Sequence, residues 1–433
     1  MPEVLIRGGT IVDEQGERRG DVLVSGVGIV AVDSTIDAPA GAAVVDAGGC
    51  IVAPGLVDLH THLREPGAEV AETVETGCRA ASLGGYTAVV AMPNTEPAID
   101  NPSIARDVLE LGRNALAQVA VAAAITVGRQ GVHLTPMAEL AALGIHLFTD
   151  DGAGVQDASL MRQALEYAGD LGIVLAQHCQ DDSLAAGGHM HEGAWSSRLG
   201  IAGQPALAEE SMLARDLALV RLTRSPMHFL HLSTAGSVEL VRRAKAEGLP
   251  VTAEVTPHHL SLTHAEVASY DSAFKVNPPL REEADVEALR VGLEQGVIDA
   301  VATDHAPHAP EKKQVPFDEA PPGMLGLETA LAVVSSAMSG RLGWVDIFAA
   351  CSWRPARIGR LDPASGGRQG GPVAPGAAAN LVVFDPTAEW SVDPSRLASR
   401  SRNTPYAGRQ LTGKVRHTLL EGEPVVIDGE AQR

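Results

Sequence analysis

The chain has 433 residues, 45% of them hydrophobic and 20% charged, a globular composition long enough for one large unit and a smaller one. Its net charge of -21 argues against nucleic-acid backbones and anionic membranes as partners, and an acidic small-molecule substrate needs a locally positive site. No apolar run approaches the ~20 residues that span a bilayer, and the N-terminus lacks the basic start and apolar core of a signal peptide. The scattered cysteines Cys50, Cys78, Cys179 and Cys351 read as buried free thiols, so a cytoplasmic protein is expected.

Short strands and turns open the chain: Val4-Leu5-Ile6-Arg7 before Gly8-Gly9, Thr10-Ile11-Val12 before Asp13, and Asp21-Val22-Leu23-Val24 before Ser25-Gly26. From Pro54-Gly55 onward, apolar strand-like runs alternate with helical stretches. The runs are Leu56–His62, Thr87–Met92, Val119–Val127, Gly144–Asp150, Ile173–His178, Met227–Leu232, Pro250–Thr256 and Asp299–Asp304. Among the spacers, Ala158–Leu171, Ala206–Leu222 and Glu283–Leu293 carry helical periodicity. Eight such β-α repeats over roughly 300 residues predict an α/β fold, a (β/α)₈ TIM-type barrel, over 54–365. The tail resumes short strands at Asn380–Phe384 and Thr418–Leu420, so 1–53 and 366–433 are expected to pair into one small β-sandwich domain.

Functional groups of a barrel collect at the C-terminal ends of its strands. Strand alternation predicts that Asp58, His60 and His62 share one face of the first strand. Asn94 follows the second strand, Asp150-Asp151 the fourth, His178 the fifth, His231 the sixth and Asp304 the eighth. Four histidines and at least two carboxylates thus converge on one mouth, where desolvation calls for a compensating cation. Imidazole and carboxylate donors suit zinc, with manganese, cobalt or iron as alternatives, and this many ligands fit two ions sharing a bridging carboxylate and a hydroxide. Taken singly, His178 and His231 read as satisfied core histidines; their joint placement is what points to metal. Asp150 reads as a loop acid, and His133, His146, His189, His191, His228, His264 and His417 as structural or solvated. His258 and His259 stay open, and His305 should point away from Asp304.

Several segments together resemble the amidohydrolase superfamily and, within it, bacterial class I dihydroorotases. They are 53–67 with His62-Leu63-Arg64-Glu65-Pro66-Gly67, Met92-Pro93-Asn94-Thr95, Thr149-Asp150-Asp151-Gly152, Gln177-His178-Cys179, and His231-Leu232-Ser233. Lys275-Val276-Asn277-Pro278-Pro279-Leu280-Arg281, Thr303-Asp304-His305-Ala306-Pro307-His308 and Gly326-Leu327-Glu328-Thr329 complete the set. The resemblance implies two Zn2+ ions per subunit: His60, His62 and Asp304 on one, His178 and His231 on the other, with Asp151 and a hydroxide as bridges. It also implies substrate contacts from His62, Arg64, Asn94, Asn277 and His308, and a ring-contacting loop at Pro322-Gly323. One departure from the wider superfamily stands out: no lysine lies on strand 4, the lysines being Lys245, Lys275, Lys312, Lys313 and Lys414. A carboxylated-lysine bridge is therefore replaced by Asp151.

The implied reaction is reversible closure of N-carbamoyl-L-aspartate to L-dihydroorotate in pyrimidine (UMP) biosynthesis. The hydroxide acts as nucleophile in hydrolysis, and Asp304 as general base and then acid. Arg64 would clamp the substrate carboxylate, helped by Asn94 and His308, and the Pro-rich stretch from Ala306 to Met324 reads as a solvated loop or a mobile lid. A homo-oligomer is expected, with association with aspartate transcarbamoylase left open. The rival readings are a hydantoinase or allantoinase, which Arg64 and the missing lysine disfavour, and a non-catalytic scaffold for aspartate transcarbamoylase, which the complete ligand set disfavours.

Overall fold

Along Val251–Val255 the side chains alternate: Val251, Ala253 and Val255 join the large apolar cluster shared with the helices, while Thr252 and Glu254 take the other face. The same period runs through most of the other core strands, because a parallel strand covered on both sides must satisfy two environments. In the computed structural model, which describes residues 3–433, the strands Leu56–Thr61, Tyr86–Ala91, Gln118–Ala123, Leu147–Phe148, Val174–Gln177, Met227–Phe229, Val251–Val255 and Ala300–Val301 lie side by side in chain order. We refer to them as barrel strands 1 to 8. The ring closes where Thr61 pairs in parallel with His305 and the His62 N–H donates to the His305 carbonyl at 2.9 Å. Leu59, Val90, Ala122, Leu147, Ala176, Leu230 and Ala302 form the apolar layer inside it. Alanine and branched aliphatic residues fill that layer, which suits a chain with few aromatics.

The helices predicted at Ala158–Leu171, Ala206–Leu222 and Glu283–Leu293 form at Ala158–Leu171, Leu207–Thr223 and Glu283–Glu294. The first is bounded by Asp157, whose side chain caps the Leu160 N–H, and by Gly172 in the left-handed conformation. Several strands are shorter than the sequence suggests: strand 6 keeps only Met227–Phe229 and strand 8 only Ala300–Val301. Strand 3 ends at Ala123 and strand 4 keeps only Leu147–Phe148, because Thr126 and Asp150 leave the ladder to bond each other, with Thr126 N–H donating to Asp150 at 3.0 Å.

Both ends of the chain build a second, nine-stranded sheet. Ile51–Pro54 pairs with Leu381–Ser391, so the C-terminal segment lies directly beside the last strand before the barrel. The separate runs at Val4 and Thr10 are one strand, Val4–Asp13, with an irregularity between Ile6 and Gly9. This sheet has its own apolar cluster around Ile6, Val22, Val52, Leu381 and Leu419. All four cysteines are buried and free, and among the described residues no helix is long and apolar enough to cross a membrane.

Candidate metal centre

Strand 1 delivers its histidines by breaking the alternation rather than following it. Its pairing with strand 2 shifts between Asp58 and Thr61, and Leu59 turns into the apolar layer of the barrel. The expectation that Asp58, His60 and His62 share a face is therefore corrected. Asp58 bonds sideways to Thr61 Oγ1 at 2.6 Å and to Thr303 N and Oγ1 at 2.8 and 2.5 Å, tying strand 1 to strand 8. Beyond the strand ends, Arg64, His231 and Asp304 take positive φ angles of 62°, 31° and 47°, a costly region for non-glycine residues. The turns at His231 and Asp304 bring these residues, which lie past regular strand, beside the other predicted ligands.

The six predicted ligands converge, and all are buried. His60 Nε2 lies 3.3 Å from Asp151 Oδ1 and 3.5 Å from Asp304 Oδ1. His62 Nε2 lies 3.0 Å from Asp304 Oδ1 and 3.5 Å from Asp151 Oδ2. On the other side, Asp151 Oδ1 is 3.7 Å from His178 Nδ1 and 3.6 Å from His231 Nε2, which are themselves 2.9 Å apart. Two donor groups thus form, His60–His62–Asp151 and Asp151–His178–His231, with Asp151 common to both.

These spacings fit metal ligation. Donor atoms around a tetrahedral ion at about 2.0–2.1 Å stand roughly 3.3 Å apart. His60 Nε2 is also fully buried without a hydrogen-bond partner among the described residues. An unpaired imidazole nitrogen is costly in the interior and is satisfied by a cation. Burial works against ionisation of Asp151 and Asp304, yet the neighbouring histidines hold both carboxyls well below the usual range. Both acids are therefore available as anionic donors.

The predicted substrate-binding residues surround the same cleft, of about 190 Å³. Arg64 donates from Nε to the Pro307 carbonyl at 3.1 Å, and burial brings its pKa down to about 10, so it remains a cation. Asn277 reaches Gln180 Oε1 at 2.9 Å and lies 3.4 Å from His178 Nε2. Asn94 bonds His62 and Asp151, and so props two of the predicted ligands as well as lining the cleft. His308 Nε2 lies 2.8 Å from the Pro322 carbonyl, to which it donates, leaving Nδ1 as an acceptor. Burial, then Arg64, depresses its pKa to about 3. The stretch from Ala306 to Met324 is not simply solvated. Lys313 is buried, and its ammonium donates to the carbonyls of Pro321 and Gly323 at 3.0 and 3.1 Å.

The remaining histidines lie outside the two donor groups that share Asp151. His305 turns to Glu72 at 3.3 Å, and Asp150 is held by Thr126. His259 bonds Thr256 and the Pro278 carbonyl, while His258 Nε2 is buried without a partner. His191, His264 and Glu282 bring donor atoms close together. Arg281, however, donates to His191 Nδ1 at 3.1 Å, which leaves the proton on Nε2 and a fixed guanidinium inside the group. His228, expected to be structural or solvated, is buried and bonds Glu254, and Glu254 in turn bonds His60. Sequence reading missed Glu254, although a carboxylate in the middle of the apolar run Pro250–Thr256 is a visible signal. A larger cavity of about 500 Å³ lies at the barrel flank beside Phe384, Trp390 and Glu328, away from either donor group.

A family model described as dihydro-orotase-like matches residues 49–237. A dihydroorotase of Streptomyces coelicolor is 49% identical over 435 residues, covering 99% of this chain and 100% of its own. One from Mycobacterium tuberculosis is 49% identical over 433 residues, covering 99% of each. Among solved structures, a dihydropyrimidinase from Brevibacillus agri is similar with a TM-score of 0.86 at 25% identity, covering 99% of this chain and 96% of that one. An L-hydantoinase from Arthrobacter aurescens gives a TM-score of 0.89 at 24% identity, over 100% and 98%, a likeness of fold.

Proposed function

The chain belongs to the dihydroorotase family, and on that premise we propose that it opens and closes the ring of L-dihydroorotate in the cleft around Asp151, with N-carbamoyl-L-aspartate as the open form. It is a cyclic-amide hydrolase. The observation that carries the substrate assignment is the meeting of a double donor group and the Arg64 cation in one small cleft. An uncharged cyclic amide has no use for that guanidinium, whereas dihydroorotate keeps a carboxylate throughout the reaction.

His60, His62 and Asp304 would hold one ion, His178 and His231 a second, with Asp151 shared. Divalent cations, zinc by the nature of the donors, polarise a carbonyl and lower the pKa of water to ~7. In hydrolysis, water adds to the ring amide carbonyl and the carbon–nitrogen bond breaks. Asp304, whose Oδ1 stands 3.0 Å from His62 Nε2, accepts the water proton and returns it to the departing nitrogen. Arg64 clamps the carboxylate with its terminal nitrogens, since Nε is already committed to Pro307. His308, its Nε2–H committed to Pro322, accepts a ring N–H rather than binding the carboxylate. Asn277 and the Pro322-Gly323 turn line the remaining walls. The same reading takes the protein as cytoplasmic, in keeping with its buried free thiols, and as self-associating. Co-purification tests association with an aspartate transcarbamoylase.

The deciding experiment is ultraviolet-monitored hydrolysis of L-dihydroorotate, with hydantoin and allantoin as controls and metal analysis on the same sample. Selective turnover that is lost on chelation and restored by zinc supports the assignment. Turnover of hydantoin in preference to dihydroorotate sinks it.

A further inference from the structure

Glu254 is a carboxylate at the centre of the barrel, fully buried and untouched by the reaction steps above. Its neighbours on strand 7, Ala253 and Val255, turn outward, so the pleat drives Glu254 into the interior layer beneath the ligands. A charge placed there is costly unless every lone pair is used. Here both oxygens are engaged. Oε1 faces His60 Nδ1 at 3.0 Å and the His231 backbone N–H at 3.4 Å, and Oε2 faces His228 Nε2 at 3.0 Å. Behind it, His228 Nδ1 lies 2.8 Å from Thr252 Oγ1. Thr252, His228, Glu254 and His60 therefore form one hydrogen-bonded chain running through the barrel toward the donor cluster.

The chain has a direction. An ionised carboxylate only accepts, so His60 must carry its proton on Nδ1 and His228 must carry one on Nε2. The Thr252 hydroxyl can then donate to His228 Nδ1. With Nδ1 committed, the free lone pair of His60 is on Nε2, the buried nitrogen that has no partner and stands between Asp151 and Asp304. His62, by contrast, is oriented by the neutral amide of Asn94. The two histidines of one ion site thus differ in what stands behind them, and only His60 is backed by a full charge.

We infer that Glu254, itself held by His228, is a positioning residue that fixes the tautomer and ring angle of His60 and raises its strength as a metal ligand. The inference rests on the metal-centre reading above. Partners of this kind typically contribute 10–100-fold in metal affinity.

The test uses the full chain loaded with zinc or cobalt, chelator competition to obtain the affinity of each ion, and the visible absorption of the cobalt form. Glu254→Gln keeps the shape and removes the charge. It should weaken one ion by about 10–100-fold and alter its cobalt absorption, leaving the ion held by His178 and His231 close to its original affinity. His228→Leu should shift the same ion in the same direction, and His228→Gln, which retains an N–H toward Glu254, should restore much of the loss. A folded Glu254→Gln protein with both affinities and the cobalt absorption unchanged overturns the inference. If Glu254→Gln fails to fold, an unchanged His228→Leu protein overturns it equally. Wild-type protein that takes up no divalent ion sinks the metal-centre reading itself, a separate and distinguishable failure.

Discussion

Asn94 ties His62 to Asp151: its Oδ1 lies 2.8 Å from His62 Nδ1 and its Nδ2 3.3 Å from Asp151 Oδ2. One amide therefore orients a histidine of the first donor group and the carboxylate common to both. Asn94→Ala should lower kcat/KM by about 10–100-fold and loosen metal binding together, because His62 loses its tautomer partner. Steady-state kinetics with metal analysis checks this, and a pure KM effect with intact metal content would restrict Asn94 to substrate contact.

Asp304 is expected to move the proton in both directions. Asp304→Asn keeps the volume and one oxygen donor but cannot take up a proton. Turnover should fall by about 10²–10⁴-fold in both ring opening and closure, with metal at least partly retained. Retained turnover in either direction counts against the shuttle.

Arg64→Lys preserves the charge and loses the planar fork. A hydrogen bond to a charged group contributes about 1.5–3 kcal/mol, so KM for dihydroorotate should rise roughly 10–100-fold with a smaller change in kcat. An unchanged KM removes Arg64 from carboxylate recognition.

Gly323 has φ +144°, and a Cβ there would stand 2.7 Å from His308 Nε2 and 2.9 Å from the Ala306 carbonyl oxygen. Gly323→Ala should therefore cost about 1–3 kcal/mol of local strain and displace His308. A lowered melting temperature and a raised KM are the expected readouts.

Burial, opposed by the backbone N–H groups of Ala398 and Ser399, pushes the Glu328 carboxyl up to about 7. The folded chain holds this proton more tightly than the unfolded chain. The resulting stability is complete below the ordinary carboxyl pKa of about 4.3 and is lost as pH rises through about 7. Glu328→Gln should match wild type near pH 4 and exceed it by up to ~3 kcal/mol at pH 8, as read from denaturant melts. Separately, ring closure takes up a proton, so lowering pH should shift the equilibrium toward dihydroorotate.

The order of barrel strands, the pairing of the two chain ends and the convergence of six polar side chains on one mouth were legible from the sequence. These depend on period-2 and period-3.6 hydrophobicity and on which polar residues end each strand, and both are local properties. What the sequence alone could not decide was the direction of side chains where the backbone leaves regular geometry. The shifted pairing at Asp58–Thr61 reverses the facing inferred for Asp58, and the positive φ angles of His231 and Asp304 set their backbones outside strand geometry. Nor could it pair residues far apart in the chain. Glu254 meets His60 across the barrel at 3.0 Å, and Asn403 donates to the Gly323 carbonyl at 3.1 Å. A buried charge takes its partners from whatever the closed barrel brings within hydrogen-bond reach, and that is decided only once the tertiary structure has formed.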